Sequence, residues 1–363
     1  MKKSKPIAPA EDANIFASTL AKTLENPVNL GIGTLPGHSY QPIDAQTYAA
    51  GREFLLNFLG IDDTNLSLIP VKGGGSGAIS AGISALISMG YAPKSMSFSG
   101  WDWTGYDSFC YTYGLAKLYL PSSEYSSEDP DTLMMIQTNR NGDGSRLNLE
   151  RAQKIIEENN RLNRPSFIDL PYFSGEDFEK EILQLFQEKA KTPTIIAWSP
   201  TKIFQTFAAR PGGAVIVMFP SNEMYEEHRW VQSITARGTT GFDDAVTREL
   251  WEELAHNQAG LKERHAHYLS IIKASTSVWK ENAPAAAAPY FDAENYGGMF
   301  RLFPAQSDTQ ARLADKNIVA VLMQYEGEYR LRVNLSGVIL PSGEVMPGAD
   351  EIIKTFFEVL NLK

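Results

Sequence analysis

Cysteine is nearly missing, with Cys110 alone in 363 residues. A lone thiol excludes an internal disulfide framework and any cysteine-rich zinc site, and fits a reducing compartment. Basic residues are outnumbered, 33 Lys and Arg against 43 Asp and Glu, for a net charge of −10. That deficit argues against nucleic acid or an anionic membrane as the main partner. No apolar run approaches the roughly 18 residues that a bilayer span needs. The start, Met1-Lys-Lys-Ser-Lys, leads into Pro6-Ile-Ala-Pro rather than an apolar stretch, so no signal peptide is expected and the cytoplasm is the default. The five histidines (His38, His228, His256, His265, His267) lack metal-ligand spacing, and His265 and His267 would point to different faces of a helix. No metal site is expected. Internal repeats are absent, and the one compositional oddity is a short alanine patch at 285–288.

What is present is a long alternation of apolar strands and amphipathic helices, in a chain of a length that suits two domains. Ile15, Phe16, Leu20 and Leu24 predict a helix over 11–25, and a second is expected at about 45–59. Seven strand candidates follow, beginning at Leu66, Ser95, Lys117, Leu133, Ser166, Thr194 and Ala214. Helices are expected between most of them. The pattern implies an α/β fold, a doubly wound, mostly parallel seven-stranded sheet. Ser174 with Asp177 reads as a capping box for a helix carrying Phe178, Ile182, Leu185 and Phe186. A helical pattern then runs from about 221 to 281, broken at Gly238-Thr-Thr-Gly241. Past Pro284, strands at about 297–303, 318–323 and 329–337 and a last helix at 349–361 make a smaller α+β unit. The expected division is a large domain at 41–283 and a small one built from 1–40 plus 284–363.

Chemistry concentrates at strand ends. Ile195 to Trp198 breaks at Ser199-Pro200, and Lys202 and Arg210 follow eight residues apart. Pro200 forces a turn, which sets Lys202 between two buried strands. A desolvated lysine can attack carbonyls, and hydroxyls with an arginine fork suit a phosphate dianion. Together they fit pyridoxal phosphate, while the plain alternative is a loop lysine and a structural arginine. Lys72-Gly-Gly-Gly-Ser-Gly77, between a strand and a helix, is an anion-binding arrangement. Gly73, Gly75 and Ala78 also match a loose dinucleotide fingerprint, but the acidic residue it wants at the next strand end is missing, with Asp102 only beyond it. Trp101 and Trp103 are core packing or a stacking surface for a flat ring. Asp169 closes its strand where open α/β sheets collect ligand groups.

In this order the motifs resemble the fold-type I pyridoxal-phosphate enzymes, specifically class I aminotransferases of the aspartate/aromatic type, from about Asn29 to Gly337. Ser199-Pro-Thr-Lys202 with Arg210 is similar to the family's Ser-x-Ser-Lys-(x)7-Arg, Thr201 replacing the second serine. The resemblance implies Lys202 as Schiff-base lysine and general base, with Ser199, Thr201 and Arg210 on the cofactor phosphate. Asp169-Leu-Pro-Tyr172 looks like the family's Asp-x-x-Tyr, which implies Asp169 on the pyridinium nitrogen and Tyr172 on the phenolate oxygen. Gly75 and Ser76 would belong to the phosphate loop, Trp103 would stack on the ring, and Asn141, rather than its competitor Asn139, would contact the cofactor. Arg332-Val-Asn-Leu-Ser-Gly is similar to the segment whose arginine clamps the substrate α-carboxylate. Gly33 falls in a substrate-side loop, and Tyr40 resembles a tyrosine that reaches the partner subunit's phosphate, implying a homodimer with shared sites. Arg237 is the nearest candidate to read a substrate side chain. The departures are a shorter segment from Gly33 to Tyr40 and a lost proline in the Asn-Pro-Thr-Gly loop. The implied activity moves an amino group between an L-amino acid and a 2-oxo acid. A β-eliminating carbon–sulfur lyase on the same fold is the alternative.

Overall fold

The computed structural model describes residues 43–120, 127–206, 212–231, 235 and 245–362. The helix expected at 11–25, the break at 238–241, and the candidates Gly33, Tyr40, Arg210 and Arg237 lie outside the described residues.

Seven strands form the main sheet: β1 Leu66–Val71, β2 Ser95–Ser99, β3 Ala116–Leu120, β4 Thr132–Ile136, β5 Ser166–Leu170, β6 Thr194–Trp198 and β7 Gly213–Met218. Their order is β1-β7-β6-β5-β4-β2-β3. β7 runs antiparallel to both β1 and β6, and the other pairs are parallel. The sheet is therefore mostly parallel, as its alternating sequence requires. Period-two alternation fills both faces. On β6, Ile195 and Ala197 join one core cluster while Ile196 and Trp198 join the other. β7 divides likewise, Val215 and Val217 against Ala214 and Ile216. Strands buried on both faces read as continuous apolar runs, which is why these strands are apolar throughout. Pro70 sits in β1, an edge strand, where a missing N–H donor is tolerated.

Helices cover the faces: α1 Ala45–Leu59, α2 Gly74–Ser88, α3 Gly105–Tyr113, α4 Leu149–Arg161, α5 Asp177–Lys189, α6 Asn222–His228 and α7 Ala245–His256. α1 starts where Asp44 Oδ1 accepts from the Thr47 amide at 2.8 Å, and stops at Gly60 in the left-handed region. The capping box expected at Ser174 and Asp177 does not form. Glu176 takes the N-cap position without a side-chain bond, and Ser174 turns to Glu179 instead. The reason is tertiary: Glu179 is fully buried and gathers donors from Thr138 and Asn139 as well.

α8, Gln258–Asn282, links the two parts of the molecule. Its Leu261 and Tyr268 pack into the core of the large sheet, and its Trp279 into that of a second, three-stranded sheet. That sheet has the order β8-β10-β9, antiparallel throughout, from β8 Phe300–Ala305, β9 Val321–Tyr325 and β10 Glu328–Asn334. α9 Thr309–Ala314 and α10 Ala349–Leu360 back it. β8 begins later than its sequence pattern predicts, because Gly298 has a φ of 63° and turns the chain there. The Trp279 indole donates to the Leu335 carbonyl at 3.0 Å, tying α8 to the turn after β10.

Candidate active site

β1, β2, β4, β5 and β6 all send their carboxyl ends to one edge of the sheet, since β1 and β6 both oppose β7. The residues that follow them, with Arg332 and Phe300 from the small sheet, enclose a cavity of about 280 Å³. Ligands in open α/β sheets collect at such an edge.

The loop after β1 supplies Gly73, Gly74, Gly75 and Ser76 to this wall. Gly73 and Gly74 have φ of 82° and 62°, and α2 then begins with no side chain capping its amides. Uncapped first-turn amides and the helix dipole favour an anion there. Gly77 is required by space, as a Cβ on it would lie 1.8 Å from the Lys72 carbonyl oxygen. A Cβ on Gly74 would come within 2.9 Å of Thr201 Oγ1. That hydroxyl is buried and, among the described residues, has no hydrogen-bond partner. Ser199, Thr201 and half-buried Lys202, in the turn after β6, line the same wall.

At the far side Asp169, on β5, is buried, and the Tyr106 hydroxyl donates to its Oδ2 at 2.5 Å. Burial pushes the Asp169 carboxyl up to about 7, against the Tyr106 bond, with the nearby Asp102 charge adding to the rise. Burial likewise raises the Tyr172 phenol to about 12, so it stays a neutral donor at physiological pH, Arg332 opposing the shift. Trp103 lines the cavity from the loop before α3.

Arg332 reaches in from β10. Burial lowers its pKa from the ordinary guanidinium value, but not its fork geometry. Its guanidinium lies 3.7 Å from the Phe300 ring centroid and donates to both oxygens of Asn141. Asn141 lines the cavity, whereas the Asn139 amide donates to Glu179 and to the Tyr172 carbonyl. Gln137 Oε1 accepts from the Asn141 amide at 2.7 Å, which fixes the loop.

The cavity thus gathers Gly75, Ser76, Trp103, Asn141, Asp169, Tyr172, Ser199, Thr201, Lys202 and Arg332. Sequence reasoning passed over Tyr106, Phe300 and Glu179. Tyr106 stands three residues after Trp103, yet nothing local reveals that a helix start aims it at Asp169. The dinucleotide arrangement fails on its acidic residue. Asp102 is buried, accepting from the Ser99 amide at 2.9 Å and pairing with Arg140, so it offers no exposed carboxylate at the end of β2. Among the described residues, no group of three or more His, Cys, Asp or Glu could hold a metal ion, and no helix is long and apolar enough to cross a membrane.

No protein-family profile matches the sequence, and no curated protein does. Solved structures do match. An aromatic-amino-acid aminotransferase from Burkholderia pseudomallei, covalently bound to pyridoxal phosphate, superposes with a TM-score of 0.69 at 17% identity, over 89% of this chain and 84% of that one. An aspartate aminotransferase from Trypanosoma cruzi gives 0.65 at 16% identity, over 99% and 98%. An aminotransferase from Anaerococcus prevotii gives 0.69 at 19%, over 89% and 83%. The chain shares its overall fold with these aminotransferases.

Proposed function

We propose that this protein is a pyridoxal-phosphate-dependent aminotransferase, moving an amino group between an L-amino acid and a 2-oxo acid. One observation carries the reading. An amine (Lys202), a buried carboxylate (Asp169), a phenol (Tyr172) and a guanidinium (Arg332) converge on one cavity from separate segments. The residues present fit the cofactor. The Thr201 hydroxyl, without a partner among the described residues, Ser199 and the uncapped start of α2 suit its phosphate, with Arg210 and Tyr40 as further partners by resemblance.

Bound there, the cofactor supplies an electron sink for the bond broken at the substrate α-carbon. Lys202 would hold the cofactor through its amine and is the base placed to hold or move the α-carbon proton. Asp169, as an anion, would accept from the ring nitrogen. Tyr172 would donate to the ring oxygen, and Trp103 would supply a flat wall. The Arg332 fork binds the α-carboxylate, with Asn141 orienting it. By resemblance Gly33 and Arg237 are assigned to the substrate side, and a large domain at 41–283 with a small one from 1–40 plus 284–363, a shared-site homodimer and a cytoplasmic location complete the reading.

The test is the visible spectrum of the purified protein with a panel of amino acids, beside Lys202→Ala. A yellow protein that bleaches with particular amino acids and regains its colour with a 2-oxo acid is expected, with a variant that does not cycle. A colourless protein that takes up no added pyridoxal phosphate overturns the reading. Release of free ammonia in place of an aminated acceptor assigns the lyase reaction instead.

A further inference from the structure

We propose that Tyr106 is the positioning residue that keeps Asp169 an anion aimed at the cofactor's ring nitrogen, an inference that rests on the pyridoxal-phosphate reading. A carboxylate sealed from water takes up a proton unless something stabilises its charge. Among the described residues no cation pairs with Asp169, whose partners are the Tyr106 hydroxyl and the Leu170 amide. Asp102 faces it with like charge, and the other titratable groups lining the cavity are Tyr172, Lys202 and Arg332. Among the described residues the Tyr106 phenol is therefore the neutral side-chain donor that holds this charge in place.

Its aim is fixed by packing. Tyr106 is fully buried in the first turn of α3, its ring edge-on to Trp103 at 5.6 Å and tilted against Phe98 at 5.3 Å. Asp169 is equally fixed, on a central strand opposite Ala197 of β6. Tyr106 engages Oδ2 alone, and a carboxylate has a second oxygen for a second donor. The loop before α3 thus supplies Trp103 to the cavity wall, and the first turn of that helix supplies the donor behind Asp169. A rigid first contact needs such a supporting partner.

The experiment follows the ring nitrogen directly. Holoenzyme is prepared with cofactor labelled with ¹⁵N at that atom, as wild type, as Tyr106→Phe and with 3-fluorotyrosine at position 106, and its NMR signal is followed across pH. Tyr106→Phe keeps the ring packing and removes the donor, so the proton moves toward Asp169. The expected result is a signal displaced toward unprotonated pyridine and cofactor dissociation about tenfold faster. Fluorotyrosine, a stronger donor of the same shape, makes the carboxylate less basic, so it is expected to shift the shared proton further toward the ring nitrogen at neutral pH and to lower the pH at which the pair loses that proton. A folded Tyr106→Phe with the wild-type signal and pH profile overturns the inference while leaving the cofactor reading intact. Should Tyr106→Phe not fold, a fluorotyrosine protein with an unchanged pH limit overturns it equally. A wild type that binds no cofactor overturns the cofactor reading itself and the inference with it.

Discussion

Arg332 and Asn141 are joined across the two sheets of the molecule. The guanidinium Nη2 donates to Asn141 Oδ1 at 2.5 Å and to its carbonyl at 2.9 Å, and Nε reaches that carbonyl at 3.1 Å. One residue belongs to β10 of the small sheet, the other to the loop after β4 of the large one. Any ligand gripped by this pair is gripped by both parts of the chain.

That junction makes Arg332→Lys a test of carboxylate recognition. A lysine keeps the charge and loses the planar fork, so KM for the amino acid should rise tenfold or more, an effect of about 1.5–3 kcal/mol. Cofactor affinity should hardly change. A double-mutant cycle with Asn141→Ala should return a coupling of about 0.5–3 kcal/mol. Steady-state kinetics read both, and additive losses would mean the two residues act separately.

Thr201 Oγ1 is buried without a partner among the described residues, beside Gly74. Thr201→Val removes that hydroxyl at nearly constant shape. The cofactor-free protein should be as stable as wild type or more so, while affinity for the phosphate-bearing cofactor should fall about tenfold. Thermal unfolding and cofactor titration separate the two effects, and unchanged affinity would place the phosphate elsewhere.

Asp169 should make the cofactor-free protein lose stability with rising pH. Its folded-state pKa is raised from 3.8 to about 7, so between those values the native state holds a proton that the unfolded chain has released. Stability from this group therefore falls from about pH 4 to pH 7. Asp169→Asn removes the dependence, and its advantage over wild type should grow across that window by on the order of 2–4 kcal/mol. Urea unfolding at several pH values measures it. A constant difference would show that Asp169 titrates normally.

Glu179 is the hub beneath Tyr172. It accepts from Thr138 Oγ1 at 2.6 Å, Asn139 Nδ2 at 2.7 Å, and the Ser174 amide and hydroxyl at 2.6 and 2.5 Å. Glu179→Ala leaves these donors buried without an acceptor and should cost roughly 2–4 kcal/mol. Glu179→Gln keeps one acceptor oxygen and should cost less. Denaturant midpoints decide, and equal small losses would mean that water replaces the carboxylate.

Much of the fold was legible in the sequence because its signals are local. The apolar runs that became β6 and β7, the proline that ends the first of them, and Gly60 closing α1 act within a few residues. The sequence pattern also marked Lys202, Asp169 and the glycine loop as strand-end residues, and strand ends in such a sheet share an edge. Ser174 misled for the opposite reason. Its spacing to Asp177 is that of a cap, but the stronger partner, Glu179, was drawn inward by Thr138 and Asn139, which are distant in the chain.

The sequence by itself determined the alternation of strands and helices, and the order of chemical groups along the chain, since periodicity, turn chemistry and charge are written residue by residue. Only the tertiary structure decided that Tyr106 backs Asp169, that Phe300 lies under Arg332, and that Asn141 rather than Asn139 lines the cavity. Those relationships depend on sheet order and on how the two sheets approach each other. They come from the packing of residues between about 30 and 190 positions apart, which no local pattern encodes.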